Sequence, residues 1–166
     1  GAPHTVNVFK ETLARGGKVV AVDPRRSSTG AKATRWIGLR PGTDLAFLLG
    51  LAHVLIEEEL YDADFVNRYT TGFEEFACAM APYTPEWCAD TCGIEARDVL
   101  EVAHGLGEAK PRAVVDCGLH GGLGIAYVNS TQTARMIALV NALLGNYGKV
   151  GGNLNPPFEL ELGTLD

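Results

Sequence analysis

The chain has 166 residues, 46% of them hydrophobic and 20% charged, with a formal net charge of -6. That length suits one compact domain, and the composition is that of an ordinary globular one. The acidic balance argues against a nucleic-acid partner, because a phosphate backbone rewards clustered Lys and Arg, and no apolar run approaches the ~20 residues of a membrane-spanning helix.

The chain opens on Gly1-Ala2-Pro3-His4-Thr5, which has no basic stretch leading into an apolar one, so a signal peptide is not expected. The lack of an initiator Met leads us to expect a fragment or a processed chain. Thr5 to Arg15 reads as a helix, with Val6, Phe9 and Leu13 at near-helical spacing and Gly16-Gly17 as its stop. Lys18 to Val22 is a short Val-rich run, predicted as a strand buried on both faces and ended by Asp23-Pro24. Trp36 to Leu39 is a second strand candidate. Arg40-Pro41-Gly42-Thr43-Asp44 is a turn, and Thr43 or Asp44 is placed to cap a long helix running to about Glu59.

From Tyr61 to about Gly107 the pattern is helical and punctuated. Thr84-Pro85-Glu86-Trp87 has the form of a helix start, with Pro at the first position. Glu95 to Leu106 is a further helix. After Pro111, Ala113 to Cys117 reads as a return to strand, followed by a Gly-rich loop, Gly118 to Gly124. Thr131 to Leu144 is an amphipathic helix closed by Gly145-Asn146, and residues 150–166 read as a loop-like tail. The order predicts an α/β fold: one Rossmann-like three-layer domain spanning residues 1–166, with a mostly parallel sheet and a helical middle segment.

Four cysteines are present. Cys88 and Cys92 are spaced i, i+4 on one helix face. No His or further Cys pair completes a familiar four-ligand set, so packing is the simpler reading of both.

In an open parallel sheet, ligands bind outside the carboxyl ends of the strands, and three loops fall there. Asp23 to Ser28 sets a carboxylate after a strand, followed by Arg25, Arg26, Ser27 and Ser28, all able to donate to phosphate. It also reads as a solvated, self-capped turn. Pro41 to Asp44 carries a carboxylate suited to two hydrogen bonds from guanine, or to a plain helix cap. Cys117 to Gly124 holds Gly118, Gly121, Gly122 and Gly124, which let backbone approach a ligand, and His120, which is equally readable as structural. The strict G-x-G-x-x-G fingerprint, the P-loop and the G-x-S-x-G elbow are all missing.

Several segments in order go further. Gly17 to Arg25, Arg40 to Ala46, His53 to Asp62, Phe65-Val66, Tyr69 to Phe73, Tyr83 to Trp87, Cys92-Gly93-Ile94, and Ala138 to Gly152 with Asn141 to Asn146 together resemble the molybdopterin oxidoreductases of the dimethyl sulfoxide reductase family. The resemblance covers nearly the whole chain. It implies an internal piece of a catalytic subunit that binds molybdopterin guanine dinucleotide with molybdenum or tungsten. By position, Asp23, Pro24, Arg25 and Ser27 would line the nucleotide, and Gly42, Thr43 and Asp44 would hold the guanine end. Cys117, Gly118, His120 and Gly121 would face the cofactor or the substrate funnel, and Gly1, Ala2, His4 and Thr5 match a further nucleotide-contacting turn.

The family's N-terminal iron–sulfur Cys cluster, its metal-ligating Cys, selenocysteine or Ser, and its C-terminal domain have no match in these residues, so no catalytic residue is assigned. The partners implied are the remaining domains of the same subunit and an iron–sulfur electron-transfer subunit. Gly151 to Pro157 resembles the thiosulfate and polysulfide reductases more than the formate dehydrogenases. A non-catalytic α/β scaffold and a free-standing nucleotide-binding module are the competing readings.

Overall fold

A helix that is apolar all round has nowhere to sit but inside, and the long segment after Thr43 is one. In the computed structural model, which describes residues 3–116 and 128–153, it forms the central helix. In chain order the elements are α1 (Pro3–Ala14), β1 (Val20–Val22), α2 (Ser28–Lys32), β2 (Arg35–Ile37), α3 (Asp44–Glu57), α4 (Ala63–Tyr69), α5 (Phe73–Met80), α6 (Pro85–Cys92), α7 (Ala96–Ala109) and α8 (Ser130–Leu143). Helices α5, α6, α7 and α8 pack around α3. Leu51, Ala52, Val54 and Leu55 of α3 are almost fully buried, with Val99 of α7 and Val140 and Leu144 at α8. The fold is mixed α/β, and its helices surround α3 rather than layering on a broad sheet.

A glycine contact brings α3 and α6 together. A Cβ on Gly50 would lie 2.8 Å from Cys88 Cβ and 2.9 Å from its Sγ, so only hydrogen lets α3 and α6 approach this closely. The sequence cues for α6 hold: Thr84 is the N-cap, its hydroxyl accepts from Trp87 N–H at 3.3 Å, and Pro85 opens the helix. The expected capping of α3 differs. Thr43 occupies the N-cap position without a side-chain cap bond, and its hydroxyl instead donates to Arg40 O at 2.7 Å. Asp44 stands in the first turn, where the helix dipole favours a carboxylate.

Strands β1 and β2 pair in parallel, Val20 with Arg35 and Val22 with Ile37. Burial of β1 on both faces is not found: Val20 is 39% exposed, because among the described residues the sheet has two strands and incomplete cover. The predicted strand at Ala113 to Cys117 also differs. Residues 113–116 form no ladder. Two amide side chains take the place of a neighbouring strand. Asn141 accepts from Val115 N–H at 3.0 Å and donates to Val115 O at 2.7 Å, while Asn146 donates to Ala113 O at 2.6 Å and to the Asn141 carbonyl at 2.7 Å. Both asparagines are buried. The ion pairs of Arg35 with Asp98 and Glu101 tie β2 to α7. The tail reading reaches described residues only up to Asn153, which bridges to Tyr147.

Asn141→Leu is expected to cost about 2 kcal/mol in urea unfolding, because it leaves the half-buried Val115 N–H and C=O without partners. A loss below about 1 kcal/mol would mean that water replaces the amide. Gly50→Ala is expected to cost about 1–3 kcal/mol through overpacking, and adding Cys88→Ala should recover part of that loss. A strictly additive double variant would show that the α3–α6 contact is not the constraint.

Candidate functional site

Parallel pairing sends the chain out of β1 and β2 at the same end of the sheet, so the loops that follow both strands leave from one edge. The first is Asp23 to Ser27. Asp23 N–H donates to Ile37 O at 3.1 Å and extends the pairing by one residue. Asp23 is half-buried, and its Oδ1 accepts from Arg25 N–H at 2.8 Å, the Asx turn that Asp favours. Pro24 is exposed. Arg25 and Arg26 are exposed and form no ion pair among the described residues. Ser27 caps α2, its hydroxyl accepting from Gly30 N–H at 3.4 Å. One carboxylate, two exposed guanidiniums and a hydroxyl therefore follow one another from the end of the sheet.

The second loop, Arg40 to Asp44, is braced from below. Arg40 N–H donates to Cys92 O at 2.8 Å, and its guanidinium donates to Asp90 O at 2.6 Å. Arg40 thus satisfies carbonyls at the C-terminus of α6 and complements its dipole. Gly93 ends α6 at φ 71°, and a Cβ there would lie 2.9 Å from Arg40 Nε, so the guanidinium needs that glycine twice over. Cys92 Sγ donates to Thr43 O at 3.5 Å and lies 3.8 Å from Cys88 Sγ. The packing reading of the two cysteines is borne out, since both are fully buried. The hydrogen bond to Cys92, together with burial, pushes the Cys88 thiol far above its ordinary value, so it stays neutral.

Gly42 and Thr43 line a cavity of about 230 Å³ with Ala46, Trp87, Thr91 and Asn129. Gly42 has φ 82°, which suits glycine alone. Asp44 is not in the cavity wall, and no described residue hydrogen-bonds its carboxylate. The sequence-predicted residues thus fall into two groups at one sheet end, Asp23 to Ser27 by α2 and Gly42-Thr43 in the cavity. Cys117, Gly118, His120 and Gly121, with Gly1 and Ala2, lie outside the described residues. Sequence reasoning missed Trp87, Thr91 and Asn129. Trp87 and Thr91 share a helix face by their i, i+4 spacing, but nothing local to α6 announces that α3 begins beside it. Among the described residues no group of three or more His, Cys, Asp or Glu is gathered for a metal, and no helix is long and apolar enough to cross a membrane.

Residues 3–157 match the molybdopterin oxidoreductase family model. The chain is 42% identical over 138 residues to the thiosulfate reductase molybdopterin-containing subunit of Salmonella typhimurium, covering 83% of this chain and 18% of that protein. It is 33% identical over 156 residues to formate dehydrogenase H of Escherichia coli, covering 93% of this chain and 21% of that protein. Among solved structures, acetylene hydratase from Pelobacter acetylenicus superposes with a TM-score of 0.77 at 30% identity, over 86% of this chain and 19% of that one. The chain spans about a fifth of the length of the relatives it matches.

Thiol labelling checks the bracing of the second loop. In the native chain, iodoacetamide is expected to modify exposed Cys78 well before Cys88 and Cys92, which react only as fast as the chain unfolds. Peptide mapping that finds Cys88 labelled at the rate of Cys78 would contradict the packing of α6 beneath Thr43.

Proposed function

The chain belongs to the molybdopterin oxidoreductase family, and from that premise we propose that residues 1–166 act as one domain cradling the guanosine and pyrophosphate end of a molybdopterin guanine dinucleotide. The observation that carries the reading is the shared sheet edge, from which the Asp23 loop and the Arg40–Asp44 loop both leave. The donor set fits such a group. The Asp23 carboxylate suits ribose hydroxyls, and Arg25, Arg26 and Ser27 suit the pyrophosphate, where guanidinium and hydroxyl donors bind strongly. The Asp44 carboxylate, in the first turn of α3, suits the paired N–H donors of guanine. Cys117, Gly118, His120 and Gly121 belong to the same reading as residues facing the cofactor or the approach to it.

The cofactor, with molybdenum or tungsten, would supply the redox centre, and the residues described in this chain would bind and orient its nucleotide tail. Proteins named for thiosulfate reduction, formate dehydrogenation and acetylene hydration all match this stretch. A stretch shared across different named reactions suits the holding of a common group better than the choice of a substrate. For the whole protein we propose a molybdopterin-dependent oxidoreductase subunit transferring electrons or oxygen atoms, with a sulfur oxyanion or polysulfide as substrate class. The Gly151 to Pro157 resemblance and the thiosulfate reductase relative support that choice. In this reading β1 and β2 belong to a larger Rossmann-like three-layer sheet. The other domains of the subunit pack against the domain, an iron–sulfur cluster lies in the N-terminal part, and an iron–sulfur subunit exchanges electrons.

The test is titration of the chain with guanosine diphosphate and adenosine diphosphate, repeated with Asp44→Ala. The guanine nucleotide is expected to bind more tightly, and Asp44→Ala to weaken it about tenfold, the loss of charge-assisted hydrogen bonds. Equal affinity for the two bases would overturn the guanine assignment. A chain with native circular dichroism that binds neither nucleotide would act as scaffold alone.

A further inference from the structure

Trp36 is the residue next to the candidate nucleotide loop whose placement packing alone leaves unexplained. Its strand neighbour Ile37 turns into the core and is 3% exposed, whereas Trp36, on the opposite face, is 36% exposed. Its ring is nonetheless held at three points. Nε1 donates to Asp23 O at 3.0 Å. A Cβ on Gly30 would stand 2.8 Å from Cδ1, and one on Gly38 would stand 2.8 Å from Cζ2 and Cη2. Two glycines, one on α2 and one just past β2, thus clear the space that the indole fills. The N–H of Gly30 also serves Ser27, so the ring and the turn after Asp23 are set by the same residue.

On the assumption that the nucleotide reading above holds, we infer that Trp36 is a further nucleoside-contacting residue, its exposed indole being the platform against which the base and ribose of the guanine nucleotide lie. An immobilised aromatic ring with free surface stacks on any base at little entropic cost. Chemistry complementary to the rest of a nucleotide begins at the residue its Nε1 bonds: Asp23 carries a half-buried carboxylate, and Arg25 and Arg26, unpaired among the described residues, follow it in the same loop. Trp87 is the competing platform. It packs against Tyr83 with ring centroids 4.9 Å apart and lines the Gly42 cavity. The cation nearest that loop in sequence, Arg40, is already committed to the carbonyls that end α6, which leaves a phosphate less to meet there.

The chain contains two tryptophans, so each indole can be followed alone by fluorescence. In Trp87→Phe, where Trp36 is the sole indole, guanosine diphosphate is expected to quench emission saturably. In Trp36→Phe, where Trp87 remains, emission should stay nearly unchanged. Trp36→Leu should weaken guanosine diphosphate binding about tenfold, within the effect of losing one stacked base. Gly38→Ala should do the same from outside the ring by displacing it, with unchanged circular dichroism. Quenching confined to Trp87 would overturn the inference and move the nucleotide into the Gly42 cavity. Wild-type affinity in Trp36→Leu, with Trp36 emission insensitive to the nucleotide, would also overturn it while leaving the nucleotide reading intact. A wild-type chain that binds no guanine nucleotide would overturn both.

Discussion

Burial of α3 over most of its circumference is the constraint from which the rest of this fold follows. Phe47, Leu48, Leu51, Val54 and Leu55 are buried along one side of the helix, Ala46 and Ala52 are buried beside them, and Leu45, Leu49 and Ile56 on the remaining face are partly buried against the core. A helix with no polar stripe needs partners all round it, and α5, α6, α7 and α8 supply them. Gly50 lets α6 come to van der Waals contact at Cys88. Once α6 is seated there, its C-terminus lies under the turn that begins α3. Arg40, Cys92 and Thr43 then bond across that junction. The position of the Gly42–Asp44 loop is thus a consequence of core packing.

The sheet has a different economy. Three residues per strand give few ladder bonds, and the pairing is supported from outside it. Arg35 is held by Asp98 and Glu101 of α7, and Trp36 is held by Asp23 and the two glycines. Two buried asparagines take over the hydrogen bonding of Ala113 and Val115 that a strand partner would otherwise satisfy. Buried backbone groups must be paired, but a side-chain amide presents the same donor and acceptor as a peptide. A Val-rich run therefore does not by itself oblige a ladder.

The two ligand-end loops differ in how they are held. The Arg40–Asp44 loop is braced by the α6 junction and is stiff because the core is. The Asp23–Ser27 loop is self-contained, with its turn closed by the Asp23 side chain and Ser27 capping the short α2. Its two guanidiniums extend into solvent without an ion-pair partner among the described residues. Exposed cations beside a half-buried carboxylate contribute little to folding stability.

Local patterns determined much of this protein in advance. The helix starts at Thr84-Pro85 and after Glu95, the long helix after the Arg40–Asp44 turn, the strand before Asp23 and the glycine stops are written in neighbouring residues, because capping, periodicity and backbone freedom act over one or two turns. Family membership was legible for the same reason, as short segments in a fixed order. The tertiary structure alone decided what depends on distant residues meeting. It joined α6 to the start of α3, brought Trp87, Thr91 and Asn129 to the wall beside Gly42, exchanged a predicted third strand for the Asn141–Asn146 clamp, and turned Trp36 outward beside Asp23. Each of these rests on contacts between residues far apart in the chain, set by which surfaces bury best together, and no single window of sequence contains that comparison.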